Sequence, residues 1–185
     1  MKKLLILVIA ITTVFLFADD DEKKMYKKRY KNSTLSTNQD TKAAKLYKNE
    51  CGSCHMAYQA EFLPKRSWVK LMKQKSLEDH FGVDATLDEA DRAEIEKFLV
   101  KNAGDNKRVY GEFKEFIESI NKSLTPIKIS EVPYFKKEHR KIAKKWIKQK
   151  EVKSIANCAA CHTKAQSGDY DDDNIKIPNY GKWDD

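Results

Sequence analysis

The chain has 185 residues, with 36 Lys and Arg against 28 Asp and Glu for a formal net charge of +8. That length holds one domain or two small ones, and the lone apolar stretch, at the N-terminus, excludes a protein that crosses the membrane many times. No Val/Ile-rich alternating run exceeds a few residues, so the strand signal is thin and the helix signal good.

Residues 1–18 read as a secretory signal. Lys2 and Lys3 form its positive end, Leu4 to Phe17 its apolar run, and Leu16-Phe17-Ala18 a cleavage site before Asp19. The apolar run is short for a membrane span, which needs about 20 residues. With cleavage near Ala18, the mature chain is expected to have no transmembrane segment. Residues 19–40 are rich in Asp and Lys and carry too little apolar surface to pack, so a flexible polar tail is expected there.

An N-terminal unit is expected over 41–104. Its first helix carries Ala43, Leu46 and Tyr47 on one face and leads into Cys51. Ser67 is placed to cap a helix bearing Trp68, Leu71 and Met72, and Ser76 a further short turn. Thr86-Leu87-Asp88-Glu89 has the form of a capping box before a helix with Ala90, Ile95, Phe98 and Leu99 inward, ending near Gly104. A connecting helix is expected over 105–123, with Val109, Phe113, Phe116, Ile117 and Ile120 on one stripe. Thr125-Pro126 and Val132-Pro133 are breaks in the C-terminal unit, 124–185. There Phe135 to Gln149 reads as one helix, whose stripe of Phe135, Ile142, Ala143, Trp146 and Ile147 takes in His139. The acidic run Asp169 to Asp173 reads as a solvated loop.

The chemistry lies in two pentads, Cys51-Gly52-Ser53-Cys54-His55 and Cys158-Ala159-Ala160-Cys161-His162, which use all four cysteines. Cys-x-x-Cys-His is the attachment signature of c-type haem. The two thiols form thioethers with the two vinyl groups of one haem, and the following histidine ligates its iron. A single zinc site built from all four thiols gives no reason for histidine to follow both pairs. A thioredoxin-like motif explains one pair at best, and disulfides across such short loops are strained. Two covalently attached haem c groups are therefore expected, one in each unit, on Cys51 and Cys54 and on Cys158 and Cys161. His55 and His162 ligate one face of each iron. The second face needs a donor, and two histidines remain, His80 and His139, one in each unit. Methionine is the other common axial donor. Only Met72 is placed to compete, and it shares a stripe with Trp68 and Leu71 that reads as core. Each ligating ring should donate its other N–H to a carbonyl or similar group. For His55 the backbone near Leu63-Pro64 is one such acceptor.

These segments resemble the periplasmic dihaem cytochrome c family, DHC, over roughly Tyr47 to Trp183. The likeness rests on Glu50-Cys51-Gly52-Ser53-Cys54-His55, Phe62-Leu63-Pro64, Ser67-Trp68, His80-Phe81-Gly82, Tyr134-Phe135-Lys136-Lys137-Glu138-His139 and Asn157-Cys158-Ala159-Ala160-Cys161-His162-Thr163. The resemblance implies a mainly α fold of two small helical haem domains, the first similar to class I cytochromes c. It implies bis-histidine haems with His80 and His139 in the distal positions, and electron transfer to another haem protein.

Filled axial sites leave no room for substrate, so a one-electron carrier is expected rather than an enzyme. The rival reading is a haem enzyme or a ligand-binding sensor with one open iron, peroxidase- or reductase-like. Residues 122–153 hold eleven Lys/Arg against three Glu, a net of +8 equal to that of the whole chain. A basic face of this kind steers an acidic redox partner. Nucleic acid is not an expected partner. The signal and covalent haem together point to the periplasm.

Overall fold

In the computed structural model, residues 35–106 and 109–183 are described. The expected signal segment and the tail up to residue 34 lie outside them.

The architecture is mainly helical. Helix α1 spans Lys42–Cys51. It starts where the Thr41 hydroxyl accepts the Ala44 N–H at 3.1 Å, one of the unpaired donors of a helix start. Its buried face is Ala44 and Tyr47, and it delivers Cys51 at its last residue. Helices α2, Lys65–Leu71, and α3, Gln74–Glu78, follow as short pieces, and α4, Glu89–Asn102, is the longest among the described residues. The first core gathers Tyr47, Leu63, Trp68, Met72, Leu77, Ile95, Phe98 and Leu99 between them. Trp68 Nε1 donates to the Ala60 carbonyl at 2.8 Å, so the buried indole is paired as well as packed.

Helix α5 is Glu112–Ser119, shorter than the expected 105–123. Gly111, just before it, has φ of +56°, a conformation that halts a helix and that glycine adopts without a steric cost. Phe113 and Phe116 on α5 are buried and meet Phe62 from the first half, with ring centroids 4.7 Å away in each case. This aromatic cluster joins the two halves. Helices α6, Pro133–Glu138, and α7, Lys144–Lys148, come next. The expected single helix over 135–149 is thus two, with a break at 139–143. Like charges contribute, although α7 itself holds one such pair, Lys144 and Lys148. A continuous helix would set Lys136 against Arg140, Lys137 against Lys141, Arg140 against Lys144 and Lys141 against Lys145 at i,i+4, and each such pair opposes helix formation. The C-terminal part is otherwise short turns and a two-stranded hairpin, β1 Lys176–Ile177 with β2 Gly181–Lys182, antiparallel.

Three further expectations are corrected. Residues 35–37 of the supposed tail are packed: Leu35, Ser36 and Thr37 are buried. The Glu61 carboxyl accepts from both the Ser36 N–H at 2.9 Å and its hydroxyl at 2.6 Å. Ser67 and Ser76 sit inside α2 and α3, which begin after Pro64 and Lys73. Thr86 does not cap α4, because its N–H is held by the Asp84 carboxyl at 2.9 Å in a local turn, and the cap position falls to Asp88.

Candidate haem sites

Each attachment motif is presented by a helix end or a tight turn. Cys51 closes α1, and the chain turns at once through Gly52 to Cys54 and His55, both exposed. Cys158 to Ala160 forms a single helical turn, and the His162 N–H bonds the Cys158 carbonyl at 2.8 Å. The backbone of His162 pairs with Ile175 in an isolated bridge, which pins the second motif to the C-terminal segment. None of the four cysteines is in a disulfide. Among the described residues no three His, Cys, Asp or Glu side chains converge as a metal cluster, so the four thiols do not share one zinc. Burial pushes Cys51 and Cys158 up to about 11 each. A redox-active Cys-x-x-Cys needs a lowered thiol instead.

The structure brings the four histidines together as two facing pairs. His55 and His80 have ring centroids 6.3 Å apart, and His139 and His162 have theirs 6.1 Å apart. An imidazole nitrogen bound to a first-row metal ion lies about 2.0 Å from it and about 1.2 Å from its own ring centre, so two rings on opposite sides of one ion stand roughly 6.4 Å apart. Both pairs have about that centroid separation. The partners come from distant segments, 55 with 80 and 139 with 162, so the fold creates the spacing.

Within each pair one ring is anchored through the backbone. His55 Nδ1 lies 2.8 Å from the Met56 carbonyl oxygen, and His139 Nδ1 lies 2.8 Å from that of Phe135. A carbonyl only accepts, so Nδ1 carries the proton and Nε2 keeps its lone pair for a metal. The acceptor for His55 is thus its chain neighbour and not the 63–64 backbone. His80 Nδ1 and His162 Nδ1 are buried with no hydrogen-bond partner among the described residues. The expected backbone acceptor for the second ring nitrogen is therefore present at His55 and His139 and missing at His80 and His162, where a buried polar atom left alone costs about 1–3 kcal/mol. Burial, and then the proximity of His139, lower His162 to about 4, and burial followed by His55 lowers His80. Neutral imidazole is the ligating form.

Neighbouring geometry sets the ring orientations. His80 enters a tight turn in which its N–H bonds the Val83 carbonyl at 2.8 Å. Both central residues, Phe81 and Gly82, have positive φ, +56° and +95°, as a two-residue I′ turn requires. His139 lies flat on Phe135, centroids 3.8 Å apart and planes 9° from parallel. His55 stacks on Tyr58 at 4.9 Å, and His162 meets the Tyr170 ring edge-on at 5.3 Å. The second site is a pocket walled by Phe116, Phe135, Ile142, Trp146, Val152, Tyr170 and Ile177, with His139, Cys158, Cys161 and His162 all on its lining. Apolar walls with two thiols and two imidazoles suit a porphyrin bound covalently and axially. Met72 is buried in the first core.

Two participants escaped the sequence reading. Tyr170 sits in the acidic run read as solvated, yet it is 9% exposed and faces His162. An aromatic residue flanked by Asp169 and Asp171 was the available signal. Tyr58, three residues after His55, gave none beyond proximity.

A family model described as DHC, dihaem cytochrome c, matches residues 47–170. Among solved structures, a diheme cytochrome type c from Shewanella baltica OS155 superposes with a TM-score of 0.62 at 33% identity, covering 78% of this chain and 100% of that one. The diheme cytochrome c from Rhodobacter sphaeroides gives a TM-score of 0.59 at 42% identity, covering 67% of this chain and 94% of that one. A search of the curated proteins finds no match. With two attachment motifs, two facing imidazole pairs and this family match, the chain belongs to the dihaem cytochrome c family and carries two covalently attached haem c groups.

Proposed function

We propose that the protein is a one-electron carrier whose two haems are both low-spin and bis-histidine ligated. Cys51 and Cys54 hold the first haem, between His55 and His80. Cys158 and Cys161 hold the second, between His162 and His139. The observation that carries this reading is the pair of imidazole separations, 6.3 and 6.1 Å. When bound, each haem supplies an iron that alternates between ferrous and ferric, gaining or losing one electron. The chain's part is to hold both axial positions closed, to keep the rings at fixed orientation, and to wall the second site with apolar side chains. Two imidazoles give a lower potential than imidazole with thioether, since methionine raises it. Filled axial positions disfavour bond chemistry at iron, so the role is carrier and not enzyme.

The proposed partner is another redox protein, a haem protein with an acidic docking face. Support comes from the eleven Lys and Arg between residues 122 and 153, all exposed and carried largely by α6, α7 and the break between them, the segments that wall the second site. The proposed location is the periplasm, after export and cleavage near Ala18. Among the described residues no helix is long and apolar enough to cross a membrane.

Absorption spectra of the purified holoprotein, oxidised and reduced, with and without carbon monoxide, test the reading. The expected result is two haems by pyridine haemochrome, low-spin spectra, no far-red methionine–iron band and no carbon monoxide shift. A high-spin component or a clear carbon monoxide shift would mean an open iron, and the enzyme or sensor reading would replace this one.

A further inference from the structure

Adjacent residues Tyr58 and Gln59 reach both sites. The Tyr58 ring stacks on His55 with planes 25° from parallel. Its hydroxyl crosses to the other half and donates to the Ala156 carbonyl at 2.7 Å, two residues before Cys158. Its own carbonyl is fixed by the Tyr47 hydroxyl at 2.8 Å. Gln59 is fully buried, and its amide bonds the C-terminal half on both its oxygen and its nitrogen. Its Oε1 accepts the Tyr170 hydroxyl at 2.7 Å, and its Nε2 donates to the Ala165 carbonyl at 2.8 Å and the Thr37 hydroxyl at 3.3 Å. Tyr170 in turn meets His162. A buried amide is tolerated because it is satisfied on every side, whereas an apolar residue would fill the same space without orienting anything. The result is a short continuous route from His55 through the Tyr58 ring, one peptide unit, the Gln59 amide and the Tyr170 ring to His162.

We propose that Tyr58 and Gln59 are positioning residues linking the two haem sites: Tyr58 sets the plane of His55 and the approach to Cys158, while Gln59, through the Tyr170 hydroxyl, sets the ring that bears on His162. The two proximal imidazoles then keep one mutual orientation, and electron exchange between the sites runs over a fixed path. This rests on the carrier reading given above. In the exchange one centre loses one electron as the other gains one. No bond forms or breaks, and Tyr58, Gln59 and Tyr170 keep their protons.

The test compares mature wild-type holoprotein with Tyr58→Phe, Tyr170→Phe and the double variant. Each substitution removes one oxygen atom and keeps the ring. Pulsed one-electron reduction separates the concentration-dependent reduction by the added reductant from the concentration-independent redistribution between haems. The g-values of low-spin electron paramagnetic resonance respond to the angle between the two axial rings on one iron, so they report a rotation of His55 against His80 or of His162 against His139. The expectation is two haems retained, an unaltered concentration-dependent phase, redistribution slowed by roughly three- to tenfold in the double variant, and shifted g-values. Unchanged redistribution together with unchanged g-values in the double variant would overturn the proposal and leave the tie a matter of stability alone. Should the double variant lose a haem, Tyr170→Phe alone gives the same decision. Carbon monoxide binding by the wild type would sink the carrier reading, while the g-value comparison would still decide the positioning role.

Discussion

Each proposed axial ring is held by a restraint that does not depend on the iron, and this makes single side chains testable. The Phe135 residue acts on His139 twice, through the stacked ring and through the carbonyl bonded to Nδ1. Plane and tautomer are both set one helical turn earlier. His139→Ala should therefore leave both haems attached, since the thioethers come from cysteines, while opening the second iron. The reduced variant should show a carbon monoxide difference spectrum amounting to about one haem of two. Identical spectra in variant and wild type would mean that His139 is not the ligand. A second residue-scale prediction concerns Ser36, whose N–H and hydroxyl both serve the buried Glu61 carboxyl. Its hydroxyl also accepts the Ala60 N–H at 2.8 Å. Ser36→Ala strips one partner from a buried acid and one from a backbone donor, and should cost about 1–3 kcal/mol in denaturant unfolding. A loss within error would show that the remaining contacts of Glu61 suffice.

At the scale of elements, the junction after α4 depends on a close approach of backbones. The Gly104 N–H bonds the Leu63 carbonyl at 3.1 Å. A Cβ on Gly104 would stand 2.3 Å from the Glu61 carbonyl oxygen and 2.4 Å from the Ile117 side chain. The carbonyl is backbone and cannot step aside, so Gly104→Ala should destabilise the holoprotein by roughly 1–3 kcal/mol, read as a lower denaturant midpoint with both haems retained. An unaltered midpoint would mean that both the Glu61 backbone and the Ile117 side chain give way without cost. Periodicity made Tyr47 of α1 and Ile95, Phe98 and Leu99 of α4 legible as core, but not Ala44, which is buried in place of Ala43, nor Ala90, which is exposed; the eight proposed site residues came from the pentads and the histidine count. The boundaries were less legible, because local side-chain bonding decided them. Asp84 captured Thr86, Pro64 moved the start of α2 ahead of Ser67, and 135–149 is split at 139–143, where basic residues crowd, although its apolar stripe was continuous. The pairing of His80 with His55 was expected from the histidine count, whereas the turn that presents His80, with positive φ at Phe81, left no pattern to read.

For the molecule as a whole, charge and core are distributed unequally. The net positive charge lies in residues 122–153, from Lys128 over the Phe81 ring to α6 and α7 beside the second site, so the association rate with the proposed acidic redox protein should fall by roughly tenfold or more as salt rises from ~10 mM to ~0.5 M. Stopped-flow kinetics would check it, and a flat salt profile would place docking elsewhere. The second half is also poor in core of its own. Between residues 124 and 183 the buried apolar side chains are Val132, Phe135, Val152, Ala165, Tyr170 and Ile177, and its pocket borrows Phe62 and Phe116 from outside that range. By contrast the first half has a packed core of Tyr47, Leu63, Trp68, Ile95, Phe98 and Leu99 independent of any cofactor. A porphyrin in the second pocket supplies the apolar surface that the chain lacks there. Cys158→Ala with Cys161→Ala should then yield a one-haem protein in which residues 124–183 lose amide protection in hydrogen exchange while α1 and α4 keep theirs. Because Gln59 and Phe62 contact Tyr170, protection around residues 59–62 should fall to an intermediate level. Uniform protection across the variant would show that the second half folds without its haem; uniform loss would show that the two halves unfold as one cooperative unit.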